Sequence, residues 1–301
     1  MKEKISKINA KLSIIFQILY RRYIDFYNKN LDKEKYFIEI IGDDVKRSDL
    51  AVVIHLFYFD NWNMFKNRIK SIEKIEKLDL FITLPDHNKK YIFEIQKDYP
   101  NAKIFIVPNL GRDVLPFLKV GSLLSQSGYD YVLKFHSKKS THREDGQNWL
   151  EETLNQIIGS EKNIAEIIKI LKKRSTGIIG PQEFYYSLLV NLNANGMQLN
   201  YILEKVLKQK LNIGKKADQY GFFGGTMFWA RVDAIDSLFS FSKYNFQKEE
   251  GQIDGTFAHA LERAFCLLPE LTDRQIYASN FNEVLKQPYM SENIPEWFKE
   301  G

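Results

Sequence analysis

Apolar residues are spaced in two ways along the chain. Over residues 3–28 they recur at Ile5, Ile8, Leu12, Ile15, Phe16, Leu19, Tyr23 and Phe26, in steps of three and four that predict one amphipathic helix. From residue 50 the pattern changes to short apolar runs alternating with helical spacing. Residues 50–58 (LAVVIHLFY) form a nearly continuous apolar run, as expected of a strand covered on both faces of a parallel sheet. A helix is expected over 61–77, and a second strand over 78–84 is closed by Pro85 and Asp86. Residues 87–98 read as helix, 103–107 (KIFIV) as a third strand, 114–126 as helix and 129–135 (YDYVLKF) as a fourth strand. Alternation of this kind predicts an α/β fold with a doubly wound sheet.

Beyond residue 145 the spacing is mostly helical, over 147–158, 161–174, 196–211 and 254–268. Short apolar strands are expected at 177–180 and 222–230, the latter with Gly224 and Gly225 permitting close backbone approach. The implied organisation is an N-terminal helical extension (1–49), one domain (50–272) and a tail packed on its surface (273–301).

Charge narrows the partners. The net charge of +5 arises in residues 1–30, where seven Lys and Arg face Glu3 and Asp25, and the rest of the chain is balanced. A domain without a basic face of its own is not built for nucleic acid. Basic residues flanking an apolar stripe suit an anionic lipid surface, and a helix packed on its own domain or on a partner has the same stripe. The single cysteine, Cys266, lies in an apolar run and reads as a small buried hydrophobe, so neither an internal disulfide nor a cysteine zinc site is expected. No signal peptide and no apolar stretch of about 20 residues is visible, which gives a cytoplasmic location as the expectation.

In doubly wound sheets ligands bind beyond the carboxyl ends of the strands. After the third strand come Gly111, Arg112 and Asp113: a tight turn, a planar cation suited to phosphate, and a carboxylate that can accept from a ribose or cap the next helix. The plainer reading of the same residues is a helix start with a surface ion pair. The fourth strand ends in Lys134, His136, Lys138 and Lys139, with His142 and Arg143 close behind. So many cations at one sheet edge call for an anion, and a diphosphate is the natural one; a solvated basic loop is the alternative. A third segment runs from Glu249 and Glu250 through Gly251 to Asp254, which is either a helix cap or a general base held at a cleft.

Six segments taken together resemble the rhamnan synthesis F family: residues 53–58 (VIHLFY), 79–83 (DLFIT), 109–117 (NLGRDVLPF), 134–140 (KFHSKKS), 225–231 (GTMFWAR) and 254–263 (DGTFAHALER). The resemblance implies a GT-A-like nucleotide-diphospho-sugar transferase fold with helical additions. It implies transfer of rhamnose from dTDP-L-rhamnose to a lipid-linked cell-surface glycan, at the inner membrane face or beside other glycan-assembly enzymes. The alternatives are a transferase of another nucleotide sugar, such as a UDP-hexose, and a non-catalytic glycan-binding subunit. Many enzymes of that fold carry Asp-x-Asp after the fourth strand to hold a divalent metal. Here His136, Ser137 and Lys138 stand in its place, so neither metal nor cofactor is expected, the cationic loop neutralising the diphosphate instead. The roles then expected are Arg112, Lys134, His136, Lys138 and Lys139 on the diphosphate, with Thr83 and Asp113 on the nucleoside. Gly224, Gly225, Thr226 and Trp229 would shape the sugar and acceptor pocket. Asp254 would be the base of an inverting transfer, with Glu250 in reserve.

Overall fold

A computed structural model describes residues 37–291 apart from 38, 44, 138–145, 191, 281, 282 and 287. The helix expected over 3–28 lies outside the described residues, as do Lys138 and Lys139. In chain order the elements are β1 (Glu39–Ile41), β2 (Leu50–His55), α1 (Trp62–Glu73), β3 (Asp79–Pro85), α2 (Ile92–Asp98), β4 (Lys103–Val107), α3 (Val114–Gln126) and β5 (Tyr131–His136). There follow α4 (Gly146–Ile157), α5 (Glu161–Leu171), β6 (Thr176–Pro181), β7 (Tyr185–Ser187), α6 (Leu192–Leu207), β8 (Gly221–Phe223) and β9 (Phe228–Arg231). The last are α7 (Val232–Ile235), α8 (Phe257–Leu271), β10 (Gln275–Ser279) and β11 (Val284–Lys286). Among the described residues no helix is long and apolar enough to cross a membrane.

The fold is α/β around a large, mostly parallel sheet in the order β1-β4-β3-β2-β5-β9-β6-β10-β11. The four expected β-α repeats are β2, β3, β4 and β5, all parallel, and the order reverses at β2, because β3 and β4 lie on one side of it and β5 on the other. Strand β9 is antiparallel to both its neighbours, β5 and β6.

Alternate strand residues feed two cores. Ala51, Val53, Phe81 and Phe105 face the layer that holds α3 and α8, while Leu50, Val52, Ile54 and Ile82 face the layer of α1, α4 and α5. In the first layer the ring of Phe117 meets Phe228, Phe239 and Phe265 at centroid distances of 5.6–5.8 Å, edge-on.

Two expectations change. The single strand expected over 222–230 is two strands in different sheets, β8 pairing with β7 and β9 with the central sheet. Between them Gly225 (φ +88°) and Thr226 (φ +53°) turn the chain, a break that apolarity alone does not reveal. The segment after 272 is more than a surface tail, since β10 runs parallel to β6 and buries Ile276, Tyr277 and Ala278.

One half-buried acid on α8 makes stability depend on pH. Burial pushes Glu270 from 4.5 up to about 7, and its Oε2 has no hydrogen-bond partner among the described residues. The folded chain therefore binds more protons than the unfolded one across that window, and stability falls as pH rises through it. Glu270→Gln should match the parent below pH 4.5 and exceed it at pH 8 by on the order of 2–3 kcal/mol in urea unfolding. Equal stability at both pH values would show that Glu270 is solvated.

Candidate active site

The carboxyl edge of the parallel strands gathers polar residues that the register aligns. His55 lies beside Thr83 on one side and His136 on the other, so the three side chains share a sheet face at the point where the strand order reverses. His55 Nδ1 is 2.8 Å from Thr83 Oγ1. Burial pushes His55 down to about 3, with His136 and Lys134 adding to the shift against Asp113, so the ring is neutral at ordinary pH. Ser137 then sews the loops together: its N–H donates to His55 O (3.0 Å), its hydroxyl accepts from Tyr58 N (2.7 Å) and its carbonyl accepts from Asn61 Nδ2 (3.2 Å). The backbone is thus fixed at Ser137, the residue that precedes Lys138 in the sequence.

Lys134 shares that face two residues earlier and is 1% exposed. Its ammonium donates to Asp113 Oδ2 (2.5 Å), Thr226 O (2.7 Å) and Thr226 Oγ1 (2.9 Å), one acceptor for each of its three protons. Thr226 Oγ1 in turn donates to Asp113 Oδ2 at 2.5 Å. Burial by itself would raise the Asp113 carboxyl, but His136, Lys134 and the hydrogen bond from Thr226 outweigh it and hold the group well below the usual carboxylate range. Burial lowers Lys134, and Asp113 opposes that shift. The result is a buried ion pair, flanked by the rings of Phe117 and Phe228 at 5.5 and 5.9 Å.

The turn after β8 sits on this pair. His136 Nε2 donates to Gly225 O (2.7 Å), and Gly225 N donates to Glu262 Oε1 (2.6 Å). Gly225 has no room for a side chain, since a Cβ would stand 2.5 Å from the Trp149 ring, and at Gly224 one would stand 2.7 Å from Tyr186. Four described non-glycine residues have positive φ. Lys208 and Asp273 follow the ends of α6 and α8, where left-handed backbone is common. Arg112 and β-branched Thr226 have no such reason; Thr226 is held by Lys134 and Asp113, and Arg112 by Glu249, Gln252 and His259, and strain of this kind collects at working sites.

The network continues to Asp254. Asp254 Oδ1 accepts from Asn195 Nδ2 and from Gly255 N, each at 2.8 Å, and Oδ2 accepts from Arg263 Nη2 at 3.0 Å. Arg263 is fully buried, lies 4.6 Å over the Phe222 ring and reaches Glu262 Oε2 at 3.5 Å. Burial raises Glu262, Arg263 and the Gly225 N–H pull it back, and Asp254 and Asp113 push it up again. Polar contacts thus run from Asp113 and Lys134 to Thr226, and from its chain neighbour Gly225 through Glu262 and Arg263 to Asp254 and Asn195.

The model of the family described as rhamnan synthesis protein F matches residues 7–273, a span that includes every residue of this path. The chain belongs to the rhamnan synthesis protein F family. Membership ties it to polysaccharide biosynthesis, the process the family is named for. It is also similar to the WxcX proteins of two strains of Xanthomonas campestris pv. campestris, at 30% identity over 228 residues, which is 74% of this chain and 32% of theirs. The chain therefore spans about a third of the length of these curated relatives.

Within this rhamnan synthesis F chain the expected residues are not all brought together. Thr83, Arg112, Asp113, Lys134, His136, Gly225, Thr226 and Asp254 converge. Gly224 borders the turn. Glu250 is exposed, with Lys248 at 3.9 Å, and it is Glu249 that turns inward to Arg112 at 3.3 Å. Trp229 is buried on the opposite sheet face and donates to Ile157 O at 2.8 Å. Glu262 and Arg263 have no role assigned on sequence grounds, although both lie in the last resembling segment on the helix that Asp254 precedes. Asn195 stands in no local pattern that marks it.

Proposed function

We propose that this protein is an inverting, metal-independent glycosyltransferase of GT-A-like fold, which transfers rhamnose from dTDP-L-rhamnose to a lipid-linked polysaccharide acceptor at the cytoplasmic membrane face. The observation that carries the reading is the path of polar contacts, carried across one turn by the backbone of Gly225 and Thr226, between the sheet edge and Asp254. It ties a donor side to a placed carboxylate on the far side of one turn.

In this reading Lys138 and Lys139, which follow Ser137 in the sequence, neutralise the donor diphosphate in place of a metal. His136, Lys134, Asp113 and Thr83 form the floor beneath it, and Gly224, Gly225 and Thr226 shape the sugar pocket. Asp254 takes the acceptor's hydroxyl proton as the new bond to the sugar forms and the nucleoside diphosphate leaves. Its Oδ2 accepts one bond from protein and keeps acceptor capacity for a hydroxyl, on a side chain that is 11% exposed.

Binding tests the donor half. Each charge-assisted contact is worth roughly 1.5–3 kcal/mol, so Lys138→Ala with Lys139→Ala should weaken dTDP binding at least tenfold and leave thymidine binding nearly unchanged. EDTA should not alter dTDP affinity. Equal loss for dTDP and thymidine, or a requirement for Mg²⁺ or Mn²⁺, would contradict the assignment.

A further inference from the structure

Arg112 stands at the seam between the two halves of the path. It belongs to the turn before α3, next to Asp113, and its backbone is left-handed at φ +55°. Yet its guanidinium points away from the Lys134 cluster, into the segment that carries Asp254. Nε donates to Glu249 Oε2 (3.3 Å), Nη1 to His259 Nε2 (2.9 Å) and Nη2 to the carbonyl of Gln252. The side chain is 16% exposed.

Arginine can only donate, so Nε2 of His259 must be the accepting nitrogen. The other ring nitrogen, Nδ1, lies 2.8 Å from Thr256 Oγ1, 3.3 Å from Thr256 N and 3.7 Å from Asp254 Oδ1. One planar cation thus grips the Asp254 segment before the carboxylate, at Glu249 and Gln252, and after it, at His259. A diphosphate reaching this guanidinium would have to displace a carboxylate, a carbonyl and an imidazole.

We infer that Arg112 is a positioning residue, which locks the segment 249–259 and so fixes Asp254 against the donor side, and is not a ligand of the diphosphate. The inference rests on the transferase reading for its consequence in catalysis. The tie itself does not depend on that reading.

Arg112→Met removes every donor while keeping much of the length. Binding of dTDP, with UDP as a second nucleotide, should stay within about twofold. Hydrogen exchange over 249–259 should quicken at least tenfold, and turnover should fall roughly a hundredfold, as for a group displaced by about 1 Å. Arg112→Lys should restore little, because an ammonium cannot reproduce the planar fork. Glu249→Gln, on the more exposed side of the tie, guards against misfolding of the first variant. It should leave dTDP affinity unchanged and quicken exchange severalfold.

Three results overturn the inference: dTDP affinity lost with Arg112→Met, dTDP affinity gained with Glu249→Gln, or unaltered exchange over 249–259 in both variants. If exchange quickens as expected but Asp254→Asn keeps its turnover, the tie stands and the assignment of the base falls.

Discussion

Asp254→Asn should lower turnover by roughly 10²–10⁴-fold, the contribution of a positioned base, while dTDP binds as before. The carboxylate is held by Asn195, Gly255 and Arg263, so its direction is set before any acceptor arrives. The asparagine amide would face the Asn195 amide or the Arg263 guanidinium, donor against donor, and stability should drop by about 1–2 kcal/mol. Rates are therefore best compared well below the unfolding temperature. Glu250→Gln is the control: the side chain is exposed and outside the path, and turnover should be near normal. A variant at Glu250 that abolishes turnover beside an active Asp254→Asn would move the base to Glu250.

Lys134→Met should be the most destabilising single change at the site, costing about 3–5 kcal/mol, because it leaves the Asp113 carboxylate buried and without its counter-charge. The lysine's three acceptors would lose their donor together. Asp113→Leu combined with Lys134→Met removes both charges and should recover a large part of that loss. A double-mutant cycle by urea unfolding measures the coupling. A cost below about 1 kcal/mol for Lys134→Met, with additive effects in the double variant, would mean that the pair is solvated and Lys134 open to ligand.

Much of this was legible in the chain, for reasons that differ by element. Strands β2 to β5 are short apolar runs closed by Pro, Asn or charged residues, and burial on both faces leaves little room for another reading. That their ends carry the chemistry follows from the sheet type. What sequence spacing could not give is pairing over distance. Lys134 reads as one more cation in a basic run until the fold brings Asp113, 21 residues away, against it. Asn195 approaches Asp254 across 59 residues, and Arg112 approaches His259 across 147. The turn at Gly225 and Thr226 was hidden because FFGGTMFWA is apolar enough for one strand, and only the backbone angles show where it breaks.

Sugar transfer by this chain is measured by incubating the purified protein with lipid-linked acceptor, EDTA and radiolabelled dTDP-L-rhamnose, beside UDP-glucose and UDP-galactose. Label from dTDP-L-rhamnose should enter the lipid fraction, with the anomeric configuration inverted and the signal lost in Asp254→Asn. Binding of polysaccharide without transfer from any of the three donors, with or without added Mg²⁺, would contradict the transferase reading and leave a glycan-binding subunit.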